Sequence, residues 1–228
     1  FEASVEAISD DAEETSSGVV ILGSSDLELV METSNQTVGM RFNNIAIPQG
    51  ATIQNAYIQF QTDETGSVPT SLTIQGEDTD NAVTFTSTNG DISSRARTTS
   101  AVSWSPAPWT TVGEIGPNQQ TSNIASVIHE IVNRSGWSNG NSLVTIVTGT
   151  GKRTAESFNS GVLNAAPLLH VEFTTDPQAP NQSPVLDPIG NQAIDEGSEL
   201  TFTATATDVD LPANTLSFSL DAGAPATA

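Results

Sequence analysis

"VGMRFNNIAIPQGATIQNAYIQF", residues 38–60, decides the fold class of this chain. Two runs of alternating apolar side chains flank a Pro-Gln-Gly turn, and such alternation is typical of strands that bury one face. The alternating apolar residues are Val38, Met40 and Phe42 in the first run and Ala56, Ile58 and Phe60 in the second. The alternation breaks near Gln54 and Asn55, which predicts a β-bulge there.

Further short strand-like runs follow the same pattern, separated by Gly, Asn and Pro turns. They are residues 18–31, 70–78, 82–87, 141–149 and 167–175. Many short strands with such turns predict a β-sandwich, and we expect an all-β jelly-roll module over residues 1–173.

One segment, "TSNIASVIHEIVNRSGW" at residues 121–137, has helical spacing instead. Its apolar positions are Ile124, Val127, Ile128, Ile131 and Val132. We expect an amphipathic helix that covers an end or edge of the sandwich. Thr121 or Ser122 is a suitable N-cap, and Gly136 is a suitable end.

The chain changes character after this module. Residues 174–188, "TTDPQAPNQSPVLDP", contain four prolines and are typical of an extended linker. Residues 189–228 have three strand-like runs, near 192–194, 199–207 and 215–220. An immunoglobulin-like sandwich needs about seven strands and roughly 100 residues. We therefore expect a partial Ig-like sandwich, completed by a continuation of the chain or by another chain.

Charge and composition restrict the partners. The net charge is −21, from 27 acidic and 6 basic residues, so nucleic acid and anionic membranes are unfavourable partners. The same charge attracts divalent cations. Cysteine is absent, and no apolar run approaches the ~20 residues of a membrane span. We expect an extracellular or cell-surface bacterial protein, with no signal peptide visible in the sequence.

The body, residues 5–173, resembles the DNRLRE-type jelly-roll modules of secreted bacterial proteins, which are similar to carbohydrate-binding modules. The residues that match the pattern of that family are Arg41, Phe42, Pro48, Gly50, Ala51, Ala56, Phe60, Pro167, Leu169, Val171 and Phe173. Residues 181–220 resemble bacterial Ig-like and cadherin-like repeats. In those repeats a D-x-D pair lies near calcium at a domain junction. These motifs are architectural and say little about activity.

Three acidic loops are candidate calcium sites, because Ca²⁺ takes six to eight oxygen ligands and clustered carboxylates repel one another without a cation. The candidate ligands are Asp10, Asp11, Glu13 and Glu14 in the first loop, Glu77, Asp78, Asp80 and Asn81 in the second, and Asp208, Asp210 and Asn214 in the third. The alternative for each loop is a solvated acidic surface. We expect calcium to stabilise the module.

Candidate glycan-binding residues lie in "SSRART" and "SWSPAPWTT". They are Arg95, Arg97, Trp104 and Trp109, together with Arg153 in a later loop. Burial in the core is the competing role of a tryptophan. We favour it for Trp104 and Trp137, and both roles stay open for Trp109. An anionic glycan would need these arginines or a calcium bridge.

Two further basic sites have structural interpretations. Lys152 and Arg153 either pair with Glu156 or form an anion-recognition corner. For Arg41, in the opening stretch, we expect a carboxylate partner across the strands.

No catalytic motif is present, and His129 and His170 are expected to be structural. The sequence therefore favours a non-catalytic module that binds an extracellular polysaccharide. The alternative is a structural subunit of an adhesin stalk or filament, assembled with copies of itself or with further domains through strand addition by the tail. A third alternative is a polysaccharide-degrading enzyme.

Overall fold

The structure is a computed structural model and describes residues 1–175, 183–208 and 216–219. The chain divides into two compact units, Phe1–Asp176 and Pro177–Ala228. The first unit contains twelve strands, one α-helix and a 3₁₀ turn. The strands are β1 (Glu2–Ser4), β2 (Asp11–Thr15), β3 (Val20–Ile21), β4 (Asp26–Glu28), β5 (Gln36–Phe42), β6 (Thr52–Gln59), β7 (Thr62–Glu64), β8 (Ser71–Gly76), β9 (Val102–Trp104), β10 (Leu143–Thr150), β11 (Thr154–Glu156) and β12 (Leu168–Thr174); the helix is α1 (Ala125–Val132) and the 3₁₀ turn is Pro117–Gln119.

These strands form three antiparallel sheets. The largest has six strands in the order β3-β2-β5-β10-β8-β9. Two three-stranded sheets have the orders β1-β12-β6 and β4-β11-β7. The predicted class, an all-β sandwich with one helix, is confirmed. The jelly-roll detail stays a prediction.

The two strands of the opening stretch lie in different sheets. β5 pairs with β2 and β10, whereas β6 pairs with β12, so the Pro-Gln-Gly segment crosses from one layer to the other. The predicted bulge is confirmed: Glu172 is opposite Asn55 and Phe173 is opposite Ile53, which leaves Gln54 as the extra residue. The bulge explains why the alternation changes phase inside the second run.

The main core is shared by the six-stranded sheet and the sheet β1-β12-β6, and it is built from the alternating apolar residues. It includes Val38, Met40 and Phe42 of β5, Leu72 and Ile74 of β8, Leu143 and Val147 of β10, Ala56 and Ile58 of β6, and Leu169 and Val171 of β12. Each large aliphatic or aromatic side chain buried in this way contributes about 1.5–3 kcal/mol through the hydrophobic effect.

A second apolar cluster covers the other face of the six-stranded sheet. Phe85 and Ile92, from the segment between β8 and β9, pack there with Val144 and Ile146 of β10. A Cβ on Gly39 would lie 2.5 Å from the Phe85 ring, so the glycine permits this close approach. Because both faces of β10 are covered, its sequence is a continuous buried run and not an alternation.

The predicted helix is confirmed, with Val127, Ile128, Ile131 and Val132 buried. The predicted caps are wrong. Thr121 Oγ1 instead accepts a hydrogen bond from the β6 amide of Ile58 at 3.0 Å, and Asn123 Oδ1 accepts one from Ala125 N at 2.9 Å. The helix ends at Val132, before the predicted glycine.

In the second unit, the described residues form one two-stranded ladder, β13 (Val185–Leu186) with β14 (Ala206–Thr207). β13 lies inside the segment predicted as a linker. Residues 192–194 and 216–219 are not strands, and the structure pairs them with no other segment of the described chain. Among the described residues, no helix has the length and apolar character needed to cross a membrane.

Candidate functional site

The first predicted calcium loop forms a strand instead, and its carboxylates are buried with separate protein partners. Asp10 Oδ1 accepts a hydrogen bond from Arg41 Nη1 at 2.9 Å, and Asp10 Oδ2 accepts one from Asn43 Nδ2 at 2.7 Å. The predicted carboxylate partner of Arg41 is therefore confirmed. Glu14 Oε2 accepts two backbone N–H groups, from Ile92 and Ser93, at 2.8 Å each.

Two other carboxylates of this strand have strongly raised pKa values. Burial raises the pKa of Asp11 to about 6, against the hydrogen bond that Phe158 N donates to it at 2.8 Å. Burial, and then a hydrogen bond with the Glu28 carboxyl group, raise the pKa of Glu13 to about 9. Burial raises the pKa of Glu28 as well, so the Glu13–Glu28 pair retains a proton above the pH at which a free glutamate releases it. These side chains link β2 to other segments and do not converge on one point.

The second predicted loop is bound to arginines. Glu77 pairs with Arg95 at 2.8 Å. Asp80 pairs with Arg134 at 2.7 Å, and Asp78 pairs with the same guanidinium. The hydrogen bond with Asp80, and then the charges of both aspartates, raise the pKa of Arg134. Of the third loop, Asp208 is described in the second unit. Asp210 and Asn214 lie outside the described residues.

The predicted tryptophan platform is buried. Trp104 and Trp109 are 5% and 1% exposed, and both rings pack on Phe60, with centroids 5.8 and 6.3 Å away. Trp109 Nε1 donates to the carbonyl of Asn118 at 2.9 Å. Neither ring offers a face to a sugar, and Trp137 is buried as well.

Most of the basic side chains form ion pairs or hydrogen bonds with other residues of the protein. Arg95 lies over the Phe85 ring at 4.5 Å and also pairs with Asp91 at 3.2 Å. Arg153 is buried, and burial lowers its pKa. Its guanidinium donates to Thr70 Oγ1 and to four backbone carbonyls, those of Val68, Pro106, Ala107 and Lys152.

The expected pairing of this basic dipeptide with Glu156 is wrong. Lys152 pairs with Glu64 at 3.2 Å, and Arg153 makes no carboxylate contact among the described residues. Arg97 is half-buried, which lowers its pKa, and its side chain makes no hydrogen bond within the described part of the chain. Arg95 and Arg153 thus have hydrogen-bond partners for their guanidinium groups, and Arg97 has none among the described residues.

The structure brings together a different set of carboxylates, on the sheet β4-β11-β7. One oxygen from each of Asp26, Asp63 and Glu64 lies within 4.8 Å of the others, and we call this set the acidic cluster. Burial, followed by the charges of Asp26 and Glu64, raises the pKa of Asp63. Hydrogen bonds from Lys152 and Thr154 lower the pKa of Glu64.

A cavity of about 560 Å³, here called the groove, adjoins the acidic cluster. Its walls combine apolar, hydroxyl and charged groups. They are Met31, residues 64–68 and residues 151–154. Glu64 belongs to both features: it lines the groove and is one of the three clustered carboxylates.

Sequence reasoning missed the acidic cluster because its members come from distant strands. Asp26 lies in β4 and the other two residues lie in β7, and both strands pair with β11 between them. A bulge at Thr154 and Ala155 shifts the register of that pairing. The only local signal is the Asp63–Glu64 pair in β7, shortly after β6. Two adjacent acidic residues are too common a pattern to indicate a site.

The two histidines have protein partners. His170 stacks on Tyr57 with ring centroids 4.7 Å apart, and its ring nitrogens lie 3.0 Å from Glu2 and 3.4 Å from Glu172. His129 lies 3.0 Å from the side-chain amide of Asn133.

No protein-family model matches the chain, and no curated protein is significantly similar to it. The family resemblances of the body and of the tail therefore stay predictions.

Proposed function

We propose that the first unit is a non-catalytic extracellular module that binds a polysaccharide in the groove, with a calcium ion at the acidic cluster. The observation that carries the proposal is the double position of Glu64, which lines the groove and joins Asp26 and Asp63 in the cluster. An ion held there would lie at the edge of the groove.

Calcium fits the chemistry of the cluster. Three carboxylates approach one another with one ammonium, that of Lys152, beside them, and the raised pKa of Asp63 reflects burial and this repulsion. A divalent cation would offset the repulsion, and Ca²⁺ accepts carboxylate oxygens together with water and backbone carbonyls. The net charge of −21 favours any cation over an anion at this surface.

The groove offers the mixed surface that sugars need. Met31 and Val68 provide apolar contact, and Thr65 and Ser67 provide hydroxyl groups. Arg153 also lines the groove, but its guanidinium is bound to backbone carbonyl groups, so a uronic acid would find positive charge at Lys152 or at the calcium ion. The module thus favours a neutral glycan, or an acidic glycan when calcium is bound.

Affinity electrophoresis of the whole chain through gels that contain marine or plant polysaccharides tests the proposal. We expect retardation by at least one polysaccharide in millimolar calcium, and weaker retardation with a chelator. The double variant Asp63→Asn, Glu64→Gln should lose the calcium effect, whereas Glu6→Gln, which removes one exposed carboxylate elsewhere, should keep it. No retardation by any polysaccharide, with or without calcium, would reject polysaccharide binding.

A second candidate function, a structural subunit assembled by strand addition, is favoured by the second unit. Its described residues leave large apolar side chains exposed beside a single short ladder. They are Val185, Leu186, Ile189, Ile194, Leu200, Phe202 and Phe218. Added strands from another copy would pair the free edge and cover these side chains. Sedimentation velocity distinguishes the two: concentration-dependent association that is lost on removal of residues 183–228 supports assembly, and a strictly monomeric chain contradicts it.

A further inference from the structure

Two buried polar atoms without a partner belong to segments that pair with each other. Thr62, in β7, is fully buried, and its Oγ1 makes no hydrogen bond within the described residues. Gln119, the last residue of the 3₁₀ turn, is fully buried as well, and its Oε1 has no partner in the described part of the chain. Buried hydroxyl and amide groups are nearly always hydrogen-bonded, so these two exceptions need a physical explanation.

The backbone holds the two side chains close together. Gln59 and Gln120 form an antiparallel bridge, and Phe60 N donates to the carbonyl of Gln119 at 3.0 Å, so Phe60 is opposite Gln119. Phe60 and Thr62 are two positions apart and both are buried. Thr62 is therefore a diagonal neighbour of Gln119. Such neighbours lie about 7–8 Å apart, which a long side chain can span.

Glu114 directs the amide of Gln119 toward Thr62. Gln119 Nε2 donates to Glu114 Oε2 at 3.4 Å, and the backbone carbonyl of Glu114 accepts a hydrogen bond from Thr62 N at 3.0 Å. Turning the amide over would place its oxygen against the carboxylate, two acceptors facing each other. The segment thus gathers a free hydroxyl, an amide carbonyl carbon and a carboxylate that holds the amide nitrogen. These are the groups that an acyl transfer needs.

We propose that Thr62 and Gln119 become joined by an ester bond. Thr62 Oγ1 attacks Cδ of Gln119, and the Glu114 carboxylate accepts the hydroxyl proton and returns it to Nε2. The Cδ–Nε2 bond then breaks, and the nitrogen leaves as ammonia. One hydroxyl and one amide give one ester and one ammonia, with no oxidant and no cofactor. The fixed positions of the two groups replace an encounter in solution, and their burial keeps water away from the ester.

The bond links β7 to the segment that covers the edge of β6. The chain has no cysteine, so it cannot form a disulfide. An ester between residues 62 and 119 would restrict the unfolded chain in the way that a disulfide does. This cross-link is independent of the proposed function, because it needs neither a polysaccharide nor calcium.

Mass spectrometry of the purified whole chain tests the cross-link. We expect the denatured protein to be lighter than its sequence by one ammonia. Trypsin cuts after Arg95 and Arg97, which lie between the two joined residues. The ester should therefore keep peptides 42–95 and 98–134 together, and fragmentation of the joined species should place the bond at Thr62 and Gln119.

Variants identify the reacting groups. Thr62→Val and Gln119→Leu should abolish the joined peptides, Thr62→Ser should retain them, and Glu114→Gln should slow their formation at least tenfold. Gln36→Leu removes another buried amide whose Oε1 is unpartnered, and it should leave the joined peptides unchanged. Thermal melting shows which variants are folded.

The wild-type digest decides the question even if a variant does not fold. A chain with the full sequence mass and two separate peptides would overturn the proposal, since Thr62 and Gln119 would then be unreacted. An ammonia loss that persists in Thr62→Val would overturn it as well, because the loss would come from another residue.

Discussion

The buried carboxyl group of Glu13 should make the protein lose stability as the pH rises. Its pKa is about 9 in the native state, raised by burial and by Glu28, whereas the ordinary value of a glutamate is 4.5. The native state therefore keeps a proton that the unfolded state releases. The stabilisation is complete below pH 4.5 and is lost progressively as the pH rises toward 9.

The magnitude follows from one retained proton. Each pH unit over which the native state holds this extra proton changes the free energy of unfolding by about 1.4 kcal/mol, so the loss between pH 5 and pH 8 is on the order of a few kcal/mol. In Glu13→Gln the side chain is neutral at every pH, and its Oε1 can still accept the hydrogen bond from Glu28 N, which is 2.7 Å in the native protein. The variant should lose most of this pH dependence.

Urea unfolding of the wild-type chain, Glu13→Gln and Glu6→Gln at pH 5 and pH 8 measures the effect. The exposed Glu6 provides the matched control, because its replacement also removes one glutamate carboxyl group from the unfolded chain, without touching the buried pair. The buried Asp11, with a pKa of about 6, contributes a smaller loss of the same sign in all three proteins, because its shift spans a narrower pH range. Equal pH dependence in the wild-type chain and in Glu13→Gln would show that the native state keeps no extra proton on Glu13.

Two further predictions concern the core. Gly39→Ala should lower the free energy of unfolding by about 1–3 kcal/mol, because the new Cβ would overlap the Phe85 ring. Gly190→Ala is the control and should have little effect, because no atom lies within 4 Å of the position of its Cβ. Chemical denaturation measures both variants. Arg41→Met should cost about 3 kcal/mol, because it leaves the buried Asp10 carboxylate without its cation. A melting temperature of Arg41→Met equal to that of the wild-type chain would show that the pair is not needed.

Local patterns in the sequence predict the elements of this fold well. The alternation at Val38, Met40 and Phe42 and the break near Gln54 follow directly from which side chains face the core. The layer to which each strand belongs could not be predicted. Two runs separated by a short turn resemble a hairpin, and only the tertiary pairing of β6 with β12 places them in opposite layers.

The candidate site was much harder to predict. A run of acidic residues in the sequence does not show whether its carboxylates are exposed to solvent or buried against protein partners. The acidic run that includes Asp10, Asp11 and Glu13 resembles a calcium loop, yet each side chain is buried against its own partners. Composition does not distinguish a solvated carboxylate from a buried one. The acidic cluster depends on the alignment of β4 and β7 on β11, which sequence spacing does not encode.

Isothermal titration of calcium into the whole chain at low salt measures the proposed site itself. We expect one binding event in the wild-type protein, absent from the double variant Asp63→Asn, Glu64→Gln and unchanged in Glu6→Gln. Because calcium binds the native state, melting with 100-fold excess over the dissociation constant should add about 2.7 kcal/mol of apparent stability. A wild-type chain that binds no calcium, or a double variant that binds it equally well, would show that the acidic cluster is not a calcium site.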